Sequence, residues 1–375
     1  MDLFITCSHG LEGILANELQ QLGCERVSEG FRGVLVKEAD PLALYRINYG
    51  ARIGSRVLLP LSRFRCYDQK SLYRELINFD WDFYIPKNKT FAIDANVNHP
   101  KLRNSLFAAQ VAKDAICDRI RQKRGERPNI DVKNPDVQLN LFIDRDVGVM
   151  SFDTSGKPLY KRGYRLESVE APLQESLAAS ILTLANYQGE EVLCDPCCGS
   201  GTFLIEAALI ASKTPPGYLR KDWGFHYLPE FSQTEWLKVK GEADSKRCSP
   251  PLKRLFGVDV NKNAIHMCKV NLRAAGFHQA VELTNADFRD FKPDVPPQLV
   301  VTNPPHGKRM ESIESLRPLY RALGDFMKRQ CAKPARGFIF TGSLELTKEV
   351  GLAAKRRYVM TSGGVESRLL EFDLY

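Results

Sequence analysis

Apolar positions along this chain change period several times, and each change marks an element. Leu3-Phe4-Ile5-Thr6-Cys7 reads as a strand, and His9-Gly10-Leu11-Glu12 opens a helix in which Leu11, Leu15, Leu19 and Leu22 recur at helical spacing up to Gly23. Gly33 to Val36 reads as a second strand. A helix follows behind Pro41 through Leu42, Leu44 and Ile47, and Arg56 to Pro60 is a strand end. This β-α-β-α-β start fits a small α+β module. A second module follows. Leu72, Leu76 and Ile77 suggest a helix, and Thr90 to Asn96 alternates like a strand. Ser105 to Ile120 reads as a strong helix running into the basic turn Arg119-Ile120-Arg121-Gln122-Lys123-Arg124, and Val137–Phe142 and Val147–Phe152 read as paired strands.

From Leu173 the pattern becomes a regular alternation. A helix through Leu177, Ile181 and Leu184 precedes the strand Glu191 to Cys194, and a helix from Thr202 to Ala211 follows it. Residues 213–253 read as an irregular insertion. The series then resumes with a strand at Leu255–Val258, a helix over 262–275, and strands at 281–283, Leu299–Val301, Gly337–Thr341, Tyr358–Met360 and Leu369–Phe372. Strands alternating with helices from Leu173 onward predict a doubly wound α/β sheet.

Composition changes this picture in two places. The chain carries a formal charge of +8, and residues 1–165 hold 26 Lys and Arg against 20 Asp and Glu, while the remaining 210 residues hold 27 against 25. A basic N-terminal part on a nearly neutral C-terminal part points to an anionic polymer as partner. Ten cysteines are present, but Cys194, Cys197 and Cys198 crowd one turn and the others scatter, so a reduced cytoplasmic protein is expected. No run of about 18 apolar residues suggests a membrane span, and Met1-Asp2-Leu3-Phe4 does not resemble a signal peptide.

Two strings carry candidate chemistry. Asp195-Pro196-Cys197-Cys198-Gly199-Ser200-Gly201-Thr202 is a glycine turn between a strand and a helix. Glycines let the backbone approach a ligand, and the N–H groups of the helix that follows can meet a carboxylate. Asp195 is placed to receive an ammonium. Asp259, with Val260, ends the next strand and suits ribose hydroxyls. Asp287-Phe288 ends the third and offers a polar group and an apolar wall to adenine. The turn lacks both the third glycine of a dinucleotide fingerprint and a phosphate-loop lysine. Cys194, Cys197 and Cys198 are half of a zinc ligand set with no second half, so no metal is expected.

The second string is Asn303-Pro304-Pro305-His306. An exocyclic amino nitrogen of a base is a poor nucleophile, because its lone pair is delocalised into the ring. The Asn303 side-chain oxygen and the Pro304 carbonyl suit two N–H groups of such a nitrogen. The prolines hold that geometry in advance, and His306 offers a planar ring for stacking. Together the two strings point to S-adenosylmethionine as methyl donor and to an amino nitrogen as acceptor.

With both strings placed, the chain resembles the bacterial THUMP-domain RNA guanine-N2-methyltransferases, and within them the form acting on 23S ribosomal RNA. The resemblance covers nearly the whole chain, including Arg162-Gly163-Tyr164-Arg165 and Ala171 to Ala178. It departs at His306, where the family usually has Tyr, and at Cys197, where Phe is common. The family implies a ferredoxin-like domain over residues 1–60, a THUMP domain that binds RNA over residues 61–155, and a C-terminal Rossmann-like class I methyltransferase domain, with its junction, over residues 156–375. Lys101, Arg103, Arg119, Arg121, Lys123, Arg124 and Arg127 are then candidate phosphate contacts. Lys308 and Arg309 extend the catalytic loop towards RNA, and Arg162 and Arg165 are expected at RNA because they lie at the domain junction. The same chemistry on a tRNA, a DNA amino-methyltransferase and a non-catalytic RNA-binding factor are the alternatives.

Overall fold

The computed structural model describes residues 1–102, 104–170, 172–307, 312–362 and 365–375. The N-terminal half folds around one eight-stranded sheet. Its strands are β1 (Leu3–Thr6), β2 (Arg26–Gly30), β3 (Gly33–Lys37), β4 (Arg56–Arg65), β5 (Thr90–Asn98), β6 (Asn129–Ile130), β7 (Val137–Asp144) and β8 (Val147–Asp153), in the order β2-β3-β1-β4-β8-β7-β5-β6. Helices α1 (Glu12–Gln21), α2 (Ala43–Gly50), α3 (Gln69–Ile77), α4 (Trp81–Tyr84) and α5 (Ser105–Arg124) cover it. The boundary expected at residue 60 falls within β4, which pairs with β1 at Phe4↔Leu58 and with β8 from Leu58↔Asp153 to Arg65↔Val147. One strand thus joins the two expected modules, and its register shifts between Pro60 and Ser62.

Strand β2 was absent from the reading of the apolar pattern. Its residues, RVSEG, are mostly exposed, so they carry no buried face to mark them. It is held as an edge by hairpin pairing to β3, through a turn in which Arg32 takes φ 53°. The α5 helix runs beyond Ile120 through its basic last turn to Arg124, and Gly125 closes it at φ 80°.

The C-terminal half is a second sheet of seven strands: β9 (Leu193–Asp195), β10 (Leu255–Asp259), β11 (Val281–Asn285), β12 (Leu299–Thr302), β13 (Ala335–Thr341), β14 (Arg356–Ser362) and β15 (Val365–Leu374). Helices α6 (Glu175–Leu184), α7 (Thr202–Ala211), α8 (Gln233–Asp244), α9 (Lys262–Ala274) and α10 (Ile313–Gln330) flank it. The order is β11-β10-β9-β12-β13-β15-β14, with β9 to β13 parallel and β15 and β14 antiparallel. Both faces are covered, which is why Leu255–Val258, Leu299–Val301 and Phe338–Phe340 read as continuous apolar runs. The chain leaves β9 towards β10 and β11, then crosses to β12 on the other side. The crevice at that reversal is where open parallel sheets hold ligands.

Residues 213–253 are more ordered than the irregular insertion expected from their mixed composition. They contain α8, whose Ser232 cap accepts from the Glu235 amide at 3.3 Å. Trp236 of α8 meets Tyr49 edge-on at 5.4 Å and Phe225 at 5.1 Å, and Tyr49 Oη donates to Asp244 at 2.7 Å. The insertion is therefore fastened to α2 of the N-terminal half, through contacts about 190 residues apart in sequence. Among the described residues no helix is long and apolar enough to cross a membrane.

Candidate active site

The glycine turn leaves the carboxyl end of β9 and enters α7. Gly199 takes φ 53° and Gly201 φ 86°, both in the left-handed region that favours glycine. A Cβ on Gly199 would meet nothing within 4 Å, so this side of the turn opens to the crevice. A Cβ on Gly201 would stand 2.4 Å from Cys268 Sγ, so only glycine lets α9 pack against the turn. Gly201 also occupies the N-cap position of α7, where no side chain caps the first-turn amides. Those amides form an anion-receiving helix end.

Carboxylates surround the turn. Asp195 is 2% exposed and accepts from the Cys197 amide at 3.2 Å; burial pushes its carboxyl up to about 7 against that bond. Pro196 beside it is buried. Asp259 accepts from Gly199 N at 2.9 Å through one oxygen and from Asn261 N at 2.9 Å through the other, so it shapes the turn while standing at the crevice. Val260 next to it is 74% exposed. Asp287 is held by Arg289, whose Nε donates at 2.9 Å, and this guanidinium keeps the Asp287 carboxyl below its usual range. The Phe288 ring beside it is buried and meets Phe326 of α10 edge-on at 5.9 Å, packed with the core on that face of the sheet. The Cys197 and Cys198 thiols stand well above the ordinary cysteine range, Cys197 chiefly through burial and Cys198 chiefly through its hydrogen bond with Cys268. Among the described residues no three His, Cys, Asp or Glu side chains converge as a metal site.

Across the crevice, β12 pairs with β9 at Val300↔Cys194, which brings the loop after Thr302 beside the glycine turn. Asn303 begins that loop, and its Oδ1 is buried with no hydrogen-bond partner. Pro304 is buried, Pro305 is exposed and His306 is half-buried. The imidazole lies against the loop leaving β13: a Cβ on Gly342 would come within 2.9 Å of His306 Cδ2 and 3.1 Å of Nε2. Gly342 thus makes room for the ring. Sequence reading missed it because it follows the run Phe338–Thr341 with no special backbone angle to announce it.

The basic residues divide sharply. Arg162 was expected at RNA, but its side chain is 1% exposed. It donates to Leu159 O at 3.0 Å and pairs with Glu206 of α7 at 3.4 Å. A charge so enclosed cannot reach a phosphate. Arg165 is also committed internally: Nε donates to Glu175 at 2.8 Å, Nη1 to Ser200 Oγ at 3.1 Å, and Nη2 to Leu173 O at 3.0 Å and Thr202 Oγ1 at 2.9 Å. The Ser200 and Thr202 hydroxyls therefore brace the turn. Arg124 donates to Ile85 O at 2.8 Å and to Asp82 O, closing the end of α5 onto α4 instead of facing solvent. Lys123 pairs with Asp80 and Asp82, Arg119 with Asp80, and Arg127 with Asp118. Lys101 and Arg121 are exposed. Arg103, Lys308 and Arg309 lie outside the described residues.

A second residue missed in sequence is Asn271, fully buried on α9. Its Oδ1 accepts from Leu166 N at 2.9 Å and Glu167 N at 3.1 Å, and its Nδ2 donates to Glu167 O at 2.8 Å and Ser200 O at 3.1 Å. A signal was present: Asn271 sits in the stripe Ala264, Ile265, Cys268, Asn271 and Leu272, and a polar residue in an apolar stripe needs partners.

A doubly wound sheet with a glycine turn and an Asn-Pro-Pro loop facing each other at its reversal defines a methyltransferase-type site. Comparison with known proteins agrees: the chain belongs to the family described as the RMKL-like methyltransferase domain, whose model matches residues 162–369. Models of a THUMP domain and of the RlmL ferredoxin-like domain match residues 66–153 and 2–58. A ribosomal RNA large subunit methyltransferase K/L of Syntrophotalea carbinolica is 38% identical over 99% of this chain and 53% of its own length. A putative RNA methyltransferase of a Synechocystis strain is 34% identical over 99% of this chain and 96% of its own. The chain spans about half the length of the K/L relatives it matches. Among solved structures, a putative methyltransferase in complex with SAH superposes with a TM-score of 0.88 at 26% identity, over 100% of this chain and 98% of that one.

Proposed function

We propose that this protein transfers a methyl group from S-adenosylmethionine to the exocyclic N2 amino nitrogen of a guanosine in 23S ribosomal RNA. The observation that carries the reading is the Asn303 Oδ1, buried and unpartnered beside a proline-held carbonyl, across the sheet reversal from an uncapped helix end. A buried acceptor without a donor costs stability, and it is kept where a ligand supplies the donor.

The residues suit the two ligands. The first-turn amides of α7 are suited to the methionine carboxylate and Asp195 to the ammonium. Asp259 keeps lone pairs for ribose hydroxyls although each of its oxygens already accepts one amide. Val260 gives the adenine an exposed apolar neighbour, and Asp287 a carboxylate held in place by Arg289. When bound, S-adenosylmethionine supplies an electrophilic methyl group. Asn303 Oδ1 and the Pro304 carbonyl then accept the two N–H groups of the base, directing the nitrogen lone pair out of the ring plane, and His306 packs on the base. Their acceptor strength matters most as the nitrogen becomes cationic, so the arrangement favours the transition state over bound substrate. The names of the K/L relatives support ribosomal RNA as the target and the THUMP match supports RNA more generally; exposed Lys101 and Arg121 are candidate contacts.

The test is methylation of total RNA from a strain lacking the gene, with labelled donor, followed by separation of the RNA species and nucleoside analysis. N2-methylguanosine in 23S RNA is expected. A methylated adenine, or label confined to tRNA, would replace the proposal.

A further inference from the structure

We infer that Arg165 and Asn271 are positioning residues that hold the glycine turn in the shape that receives the amino-acid end of the methyl donor; the inference rests on the methyl-transfer reading above. The turn is built on two glycines with positive φ, and such a segment is costly to order. One guanidinium spans it. Arg165 reaches the hydroxyls on both sides of Gly201, at 3.1 Å on Ser200 and 2.9 Å on Thr202, and its planar fork fixes the spacing between them. Its remaining bonds run to Glu175 and to the Leu173 carbonyl, so four of its five N–H groups are used. Glu175 offsets its charge, leaving it poorly suited to an RNA phosphate.

Asn271 grips the same turn by its backbone. Its Nδ2 holds the Ser200 carbonyl, and its other bonds hold the backbone of Leu166 and Glu167. Cys268, three residues earlier on α9, packs where Gly201 lacks a Cβ. The stretch Arg165–Glu167, which joins the N-terminal half to the methyltransferase sheet, is thereby tied to the turn at the Ser200 hydroxyl, the Thr202 hydroxyl and, through Asn271, the Ser200 carbonyl. None of these bonds touches Asp259 or the ends of β10 and β11, where ribose and adenine are placed.

That separation makes the test. S-adenosylhomocysteine carries the amino-acid end; methylthioadenosine carries the nucleoside without it. With the full chain, calorimetry on Arg165→Met should show S-adenosylhomocysteine affinity reduced about 10–100-fold, the effect of losing charged hydrogen bonds, while methylthioadenosine affinity stays within about twofold. Asn271→Ala should give the same split. Thr202→Val, which removes one acceptor while keeping the amide and the side-chain shape, keeps the question decidable if Arg165→Met fails to fold, and should give a smaller split in the same direction. Equal losses for both ligands would reduce these residues to general stability, and intact S-adenosylhomocysteine affinity with weakened RNA binding would return Arg165 to the RNA; either result overturns the inference. Failure of the methyl-transfer reading is seen separately, as wild-type protein that binds neither ligand.

Discussion

Asn303→Ala is expected to move stability and activity in opposite directions. In the free protein the Asn303 Oδ1 is buried without a donor. Leaving a buried acceptor unpaired costs about 1–3 kcal/mol, and truncation to Ala removes that cost while forfeiting the packing of one small side chain. The balance is about 1 kcal/mol in favour of the variant, a rise in Tm of about 2–4 °C for a domain of this size. Activity goes the other way. Removing one preorganised partner from a developing charge costs about 3–4 kcal/mol, or about 100–1000-fold in turnover. Donor affinity should hold, because the glycine turn, Asp195 and Asp259 are untouched. The assays are thermal unfolding followed by circular dichroism, S-adenosylhomocysteine calorimetry, and single-turnover methyl transfer to RNA. A Tm lowered by several degrees, with activity falling in proportion, would make Asn303 a structural residue. An unchanged rate would remove the amino-methylation chemistry itself.

Gly342→Ala should push the imidazole of His306 aside, since the new Cβ would lie 2.9 Å from Cδ2; turnover should fall about 10-fold with donor binding intact, as for His306→Ala, and a normal single-turnover rate would show that the ring's place is unimportant. His306→Tyr should retain activity if the ring acts by stacking, and loss of activity in a folded His306→Tyr protein would exclude that role. Asp259→Ala should weaken S-adenosylhomocysteine and methylthioadenosine alike by about 1–3 kcal/mol, because it removes a ribose acceptor as well as the bond to Gly199 N; unchanged affinity by calorimetry would move the ribose elsewhere. Burial raises the Asp195 carboxyl to about 7, so in the free protein it is largely protonated at pH 6 and ionised at pH 8. Donor affinity should therefore rise across that interval as the carboxylate becomes available to the ammonium. Stability of the free protein should fall as pH climbs from about 4 through 7, because the buried charge is disfavoured. Asp195→Asn should flatten both profiles, and a donor affinity independent of pH in the wild type would count against the assignment.

Much of the site was legible in the chain because glycine and proline act locally. Gly199, Gly201 and the Pro304-Pro305 pair restrict or free their own backbone angles wherever they stand, so the two turns could be placed before any contact was known. Apolar periodicity likewise marked the parallel strands, whose two buried faces leave a continuous run of hydrophobic residues. Strand β2 and helix α8 escaped, one an exposed edge paired only through its hairpin and the other a polar helix anchored by Trp236 on residues of α2.

What the sequence by itself determined, then, was the series of elements, the two turns and the kind of chemistry they serve. The tertiary structure alone decided where the charges went. Arg162 and Arg165 look alike in sequence and both read as RNA contacts, yet one is enclosed with Glu206, 44 residues away, and the other is spent on Ser200 and Thr202, 35 and 37 residues away. The fate of a guanidinium depends on whether folding brings it carbonyls and carboxylates or leaves it in water, and those partners come from distant parts of the chain. For the same reason Asn271, Gly342 and the pairing of β12 with β9 had no local mark strong enough to assign them: each acts through a neighbour that only the closed sheet supplies.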